Sequence, residues 1–266
     1  VGQTTSCTPG CLVNPCQNGG SHESLFPTDC TKPRFKCNCP MGYTGNLCQD
    51  VVKSCRCYVN GRRVPGLYLV FDDNMNPFDV FCDFDLNSTM TWTLVQSYEL
   101  RKKELFSHKG FNLNFSVDEN TPRWDAYRLS KPRMQSIQKD CSKFRMACNY
   151  DTDGVVFRDY LQVSNDQMDI ITFVKGGVCI FVEWINIRGQ ECKNCTALLG
   201  QGGHYKFSLH SDSYFAGGAG CEFAPNNGLY CSGHGEDNFG LYDCVNPAHR
   251  CSSSQSATTQ SWFGGN

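Results

Sequence analysis

Three clusters along the chain have residue types and spacings that could do chemistry. Glu236, Asp237 and Asn238 set three oxygen-bearing side chains in a row between Cys231 and Cys244. Clustered oxygens in a short loop suit a hard cation, so Ca²⁺ is the cofactor this stretch would take; the plainer alternative is a solvated polar loop. Asp151-Thr152-Asp153-Gly154 alternates two carboxylates before a turn glycine. It lacks the length and terminal glutamate of an EF-hand loop and reads more simply as an Asx turn. Cys192 and Cys195 have the spacing of a redox dithiol. No βαβ pattern surrounds them, and Asn194 between them heads an acceptor sequon, so a local structural staple fits better.

The remaining reactive side chains form no recognisable constellation. His22, His108, His204, His210, His234 and His249 are scattered, with no His-x3-His pair for zinc. No Gly-x-Ser-x-Gly elbow and no Gly-Lys-Ser/Thr phosphate loop occur. The expectation is a protein without catalytic residues. Aromatic residues are frequent in the glycine-rich C-terminal third, among them Tyr214, Phe239 and Tyr242. Exposed, such rings would stack on sugar faces or anchor a protein partner; otherwise they fill a core short of regular structure.

Nineteen cysteines in 266 residues point to disulfides and an oxidising, extracellular compartment. The odd total leaves at least one sulfur free or bonded to another chain. Three glycosylation sequons begin at Asn87, Asn114 and Asn194, which reads as a secreted glycoprotein. Net charge is −2, so nothing argues for nucleic acid or an anionic membrane. The longest apolar run, residues 178–182, is strand-sized and far too short for a membrane span. Val1 is not an initiating methionine, and the expectation is a mature, processed chain.

The elements that would position these residues follow from periodicity. Alternation predicts strands over Leu67–Phe71, Phe78–Phe84 and Trp92–Gln96, and further strands over Asp169–Val174, Val178–Ile187 and His204–His210. Ser130 before Lys-Pro and an apolar periodic run predicts a helix towards Cys141. Residues 50–54 read as a short linker. From Ala216 onward, glycine, serine and asparagine predict a loop-rich face. Residues 1–50 form one expected domain, too small to be secure without cross-links, and 51–266 a second with room for a core.

The first segment runs Cys11-x4-Cys16-Gln-Asn-Gly-Gly, then Cys37-Asn-Cys39-Pro-x-Gly42-Tyr43-Thr44-Gly45-x-x-Cys48. It resembles an epidermal-growth-factor-like (EGF-like) module. That resemblance implies Cys11–Cys30, Cys16–Cys37 and Cys39–Cys48, although Cys30 follows a longer loop than usual. Cys7 is then left over, as a quiet thiol, a bond to Cys55 or Cys57, or a link between protomers. No carboxylates precede Cys7 or Cys11, so the calcium-binding form of the module is not expected.

The second segment carries Gly66-Leu-Tyr68, Val80-Phe-Cys82-Asp83 and Trp92-Thr-Leu-Val-Gln96. It is similar to the fibrinogen C-terminal domain family. The run from Trp124-Asp-Ala-Tyr-Arg-Leu-Ser130 to Pro247-Ala-His-Arg-Cys251 and Trp262-Phe-Gly resembles more specifically a divergent branch among secreted EGF-plus-fibrinogen-like proteins of marine invertebrates, including matrix proteins. The resemblance implies an α+β fold, a disulfide from Cys55 or Cys57 to Cys82 with Cys55 favoured, and one joining Cys231 to Cys244. The paired tryptophans of that family's acetyl-group pocket are absent. The reading is a secreted, non-enzymatic glycoprotein of matrix or adhesion type. Its partners would be copies of itself, in filaments or oligomers, or other extracellular proteins and glycans. The alternative is a soluble lectin that binds glycans with Ca²⁺.

Overall fold

The computed structural model describes residues 13–25, 35–59, 61, 63–85, 88–203, 208–212, 219–225 and 235–266. The N-terminal part holds two small hairpins. β1 (Ser21–Ser24) pairs with β2 (Phe35–Asn38), and β3 (Tyr43–Thr44) with β4 (Asp50–Val51). Such short ladders bury little apolar surface. Sulfur holds them instead, through Cys16–Cys37 and Cys39–Cys48. These are two of the three expected pairings; Cys11 and Cys30 lie outside the described residues.

The expected linker is part of the packed structure. Val52 is buried, donates to Gly42 O and accepts from Phe71 N, stitching the small segment to the large one. Gly42 N donates to Tyr58 Oη at 2.8 Å, and the Tyr43 ring meets Phe71 at 5.4 Å. Gly42 has φ +92°, and a Cβ there would lie 2.9 Å from Leu69 Cδ2, so only glycine permits this approach.

The remaining strands are β5 (Gly66–Phe71), β6 (Pro77–Phe84), β7 (Thr91–Glu99), β8 (Ala126–Arg128), β9 (Lys143–Cys148), β10 (Tyr160–Ser164), β11 (Val178–Ile187), β12 (Gln190–Leu199), β13 (Ser211–Asp212), β14 (Asp237–Asn238) and β15 (Thr258–Gly265). Nine of them form one antiparallel sheet in the order β12-β11-β10-β9-β15-β7-β6-β5, with β8 beside β7. Beside this sheet the α-helices are slight: α1 (Lys103–Phe106), α2 (Lys131–Gln138) and α3 (Tyr150–Asp153). The fold is therefore β-rich, and the α+β expectation is corrected. β9, β10, β12 and β15 were not anticipated. Most of them are mixed in polarity; β9, β10 and β15 are paired on both edges and β12 along its whole length with β11, and it is this pairing that makes them strands.

Further expectations meet the structure here. The first three predicted strands correspond to β5, β6 and β7, and Cys55–Cys82 forms as favoured. The helix begins at Lys131 after Ser130, but Ser130 does not cap it. Glu119 accepts from Ser130 N, and Asn114 Oδ1 accepts from Lys131 N. Residues 169–174 form a turn rather than a strand, because the Asp169 carboxylate accepts from Ile171 N and its carbonyl from Phe173 N. Within 204–210 only 208–210 are described, and there His210 makes a single β-bridge with Gly200.

Among the described residues most buried apolar side chains form one continuous cluster, with Leu198 and Cys221 in a small second one. The last strand, β15, lies between β9 and β7 with every residue buried. Three more disulfides bind the outer chain: Cys148–Cys251, Cys179–Cys221 and Cys192–Cys195. Six disulfides among the described residues match folding in an oxidising compartment. Cys57 and Cys141 remain thiols. No helix among the described residues is long and apolar enough to cross a membrane.

Candidate functional site

The short ladder β13–β14 sets Asp212 directly opposite Asp237. Both are buried, as is His210, which two backbone hydrogen bonds of 3.1 Å tie to Gly200 at the end of β12. The imidazole Nδ1 lies 3.1 Å from Ser208 O, so it carries the proton, and Nε2 faces Asp237 Oδ1 at 3.7 Å. One ligand atom from each of His210, Asp212 and Asp237 falls within 4.8 Å of the others. Burial pushes the Asp237 carboxyl up to about 7, with Asp212 and Asp243 adding like charge. Burial pushes His210 down to about 4, so the ring is neutral.

This differs from the sequence expectation in a specific way. Of Glu236, Asp237 and Asn238, only Asp237 faces the cluster. Glu236 receives Arg188 Nε at 2.9 Å and Asn246 Nδ2 at 2.7 Å. Asn238 Nδ2 donates to Ser211 O and Glu236 O. In a strand, neighbours point to opposite faces, so three consecutive residues cannot converge on one ion. One imidazole and two carboxylates suit Zn²⁺ better than Ca²⁺, which takes six to eight oxygens. His210-x-Asp212 was the overlooked signal, since alternate strand positions share a face.

The expected ligand aromatics are also placed otherwise. Phe239 and Tyr242 are core residues; Tyr242 Oη bonds Thr259 Oγ1 at 2.6 Å, and Phe239 packs perpendicular to the His249 ring. Tyr214 lies outside the described residues. So do Asn87 and Cys231, although Cys244 is disulfide-bonded. Asn114 and Asn194 are both exposed. Asp151 and Asp153 share the single turn of α3 but are spent on Thr258 and Arg250.

On one sheet face Trp184, Gln162, Arg145 and Trp262 lie directly opposite one another across β11, β10, β9 and β15. The first three of these floor a hollow of about 810 Å³ whose walls include Tyr150, Phe157, Tyr160 and Met90. Arg145 is paired with Asp83, and Tyr150 Oη donates to the same carboxylate at 2.7 Å. Val64 and Pro65 border this hollow and also a second one, of about 550 Å³, where Met41 and Tyr43 of the small segment meet Leu67 and Tyr68. Met41 is 53% exposed, Leu67 54% and Val64 45%.

No protein-family profile matches the chain, and no curated protein matches it.

Proposed function

We infer that the chain is a secreted, non-enzymatic glycoprotein of matrix or adhesion type. In it an EGF-like module is docked on a β-rich domain, and together they bind a protein partner or a further copy of the chain. The observation that carries this reading is the pair of adjoining hollows, with exposed Met41, Val64 and Leu67 at the junction. Contiguous uncovered apolar surface on a cross-linked, non-swinging frame is what a protein-binding site requires. Disulfides suit that role because they restrict the unfolded chain and keep the surface rigid outside the cell.

The experiment is sedimentation of the full chain, together with binding to immobilised extracellular-matrix proteins, for the natural sequence and for Val64→Asp and Leu67→Asp. Both positions are exposed, so the fold tolerates the change. Concentration-dependent association or matrix binding that both variants lose supports the reading. Variants that behave like the natural chain sink it. Phe239 and Tyr242 are buried and so do not face a glycan; array binding abolished by a chelator would favour the lectin alternative.

A further inference from the structure

Cys148 closes β9 and Cys251 sits in a 3₁₀ turn over residues 250–252; both sulfurs are fully buried. Beside them lies His249, also fully buried, and neither of its ring nitrogens has a hydrogen-bond partner. A buried polar atom left unpaired costs about 1–3 kcal/mol, and an apolar residue at this position would avoid that cost. One histidine nitrogen and the two sulfurs lie within 4.8 Å of one another. Asp159, likewise sealed from solvent, holds Oδ1 3.7 Å from His249 Nε2. Backbone N–H groups of Arg188 and Arg250 fix that carboxylate, and Asp159 itself has φ +56°. Phe239 packs against the imidazole with the two rings nearly perpendicular, centroids 5.2 Å apart.

We propose that Cys148, His249 and Cys251 form a second state of this position, a Cys₂His site for a zinc-class divalent cation, filled when the disulfide is reduced. A dithiol reductant supplies two electrons and two protons, which break the S–S bond and give two thiols; the dithiol leaves as its own disulfide. Metal binding then releases those two protons and forms two metal–sulfur bonds. The imidazole lone pair supplies the third bond, and Asp159 places an oxygen beside the ring, as carboxylates do around metal-bound histidines. The sulfurs come from positions 103 residues apart, so metal and disulfide fasten the same two segments of chain. The cation would keep β9 and the 250–252 turn together in a reducing setting where the covalent bond is lost.

The test uses the full chain reduced with a dithiol, with and without Zn²⁺, then alkylated and mapped by mass spectrometry. Zn²⁺ is expected to slow alkylation of Cys148 and Cys251 roughly tenfold, and His249→Ala to remove that protection without changing the other cysteines. Asp159→Asn is expected to weaken zinc protection of the pair by about tenfold. A disulfide map of the oxidised His249→Ala protein, identical to the natural one, shows that the variant folds. The proposal is overturned if Zn²⁺ leaves the pair unprotected, or protects it equally in the His249→Ala chain.

Discussion

Arg145 donates to Asp83 across 2.6 Å while its guanidinium lies between the rings of Trp92 and Trp262, 4.4 and 4.6 Å from their centroids. Charge and stacking are thus met by different neighbours, which lets a cation sit in a β-sheet core. Arg145→Ala leaves the Asp83 carboxylate without its cation and empties the space between two indoles. The expected loss is about 3–5 kcal/mol, read from the urea midpoint. Tyr150→Phe removes one hydrogen bond to the same carboxylate, leaves the ion pair in place, and is expected to cost about 1.5–3 kcal/mol.

Acid stability isolates the carboxyl of Asp237. His210 and His249 are each pushed down to about 4 by burial, so between about pH 4 and 6.5 the unfolded chain binds two protons that the folded chain refuses. That favours unfolding as pH falls. Asp237 acts in reverse: its folded carboxyl keeps a proton up to about 7, so its contribution is greatest at low pH and is lost as pH rises through that value. Asp237→Asn removes this opposing contribution. The variant's stability should fall more steeply on acidification, by about 1.4 kcal/mol per pH unit across that window. Urea titrations at several pH values in the presence of a chelator would show it; equal slopes would mean that Asp237 is ionised in the folded chain.

A divalent cation should matter to the same cluster in the oxidised protein. Zn²⁺ at about one hundred times its dissociation constant is expected to add about 2.7 kcal/mol, seen as a higher melting temperature. His210→Ala should abolish the gain, and Ca²⁺ should give little. Stabilisation by Ca²⁺ that survives His210→Ala would show that an oxygen-only site elsewhere holds the ion.

Gly264 faces Trp92 across β15 and β7, and a Cβ there would lie 2.3 Å from the indole. Trp92 cannot retreat, because Arg145 stacks on it. Gly264→Ala is therefore expected to cost about 1–3 kcal/mol by overpacking. Gly66→Ala, with nothing within 4 Å of the added carbon, serves as the comparison and should leave the melting temperature nearly unchanged. Equal melting temperatures for the two variants would mean that the sheet relaxes around Trp92.

Local pattern alone was enough for β5 to β7 and for the helix start at Lys131, while family resemblance implied the Cys16–Cys37, Cys39–Cys48 and Cys55–Cys82 bonds that the structure contains. For the strands and the helix the signal lies within a few residues: alternation, or a serine before Lys-Pro. What sequence could not show is how distant segments meet. The run 258–265 is mostly polar or small, and it is a buried strand only because β9 and β7 flank it and satisfy its backbone on both edges. Glu236, Asp237 and Asn238 are adjacent along the chain yet face different ways, whereas His210, Asp212 and Asp237 converge from two segments. Cys148, His249 and Cys251 do the same from two segments, as does Arg145 with its two tryptophans. Sequence therefore determined which residues carry sulfur, charge and turn geometry, because those are properties of the residue itself. Tertiary structure decided which of them share a site, because strand pairing and register, set by the burial of the whole sheet, choose each side chain's neighbours.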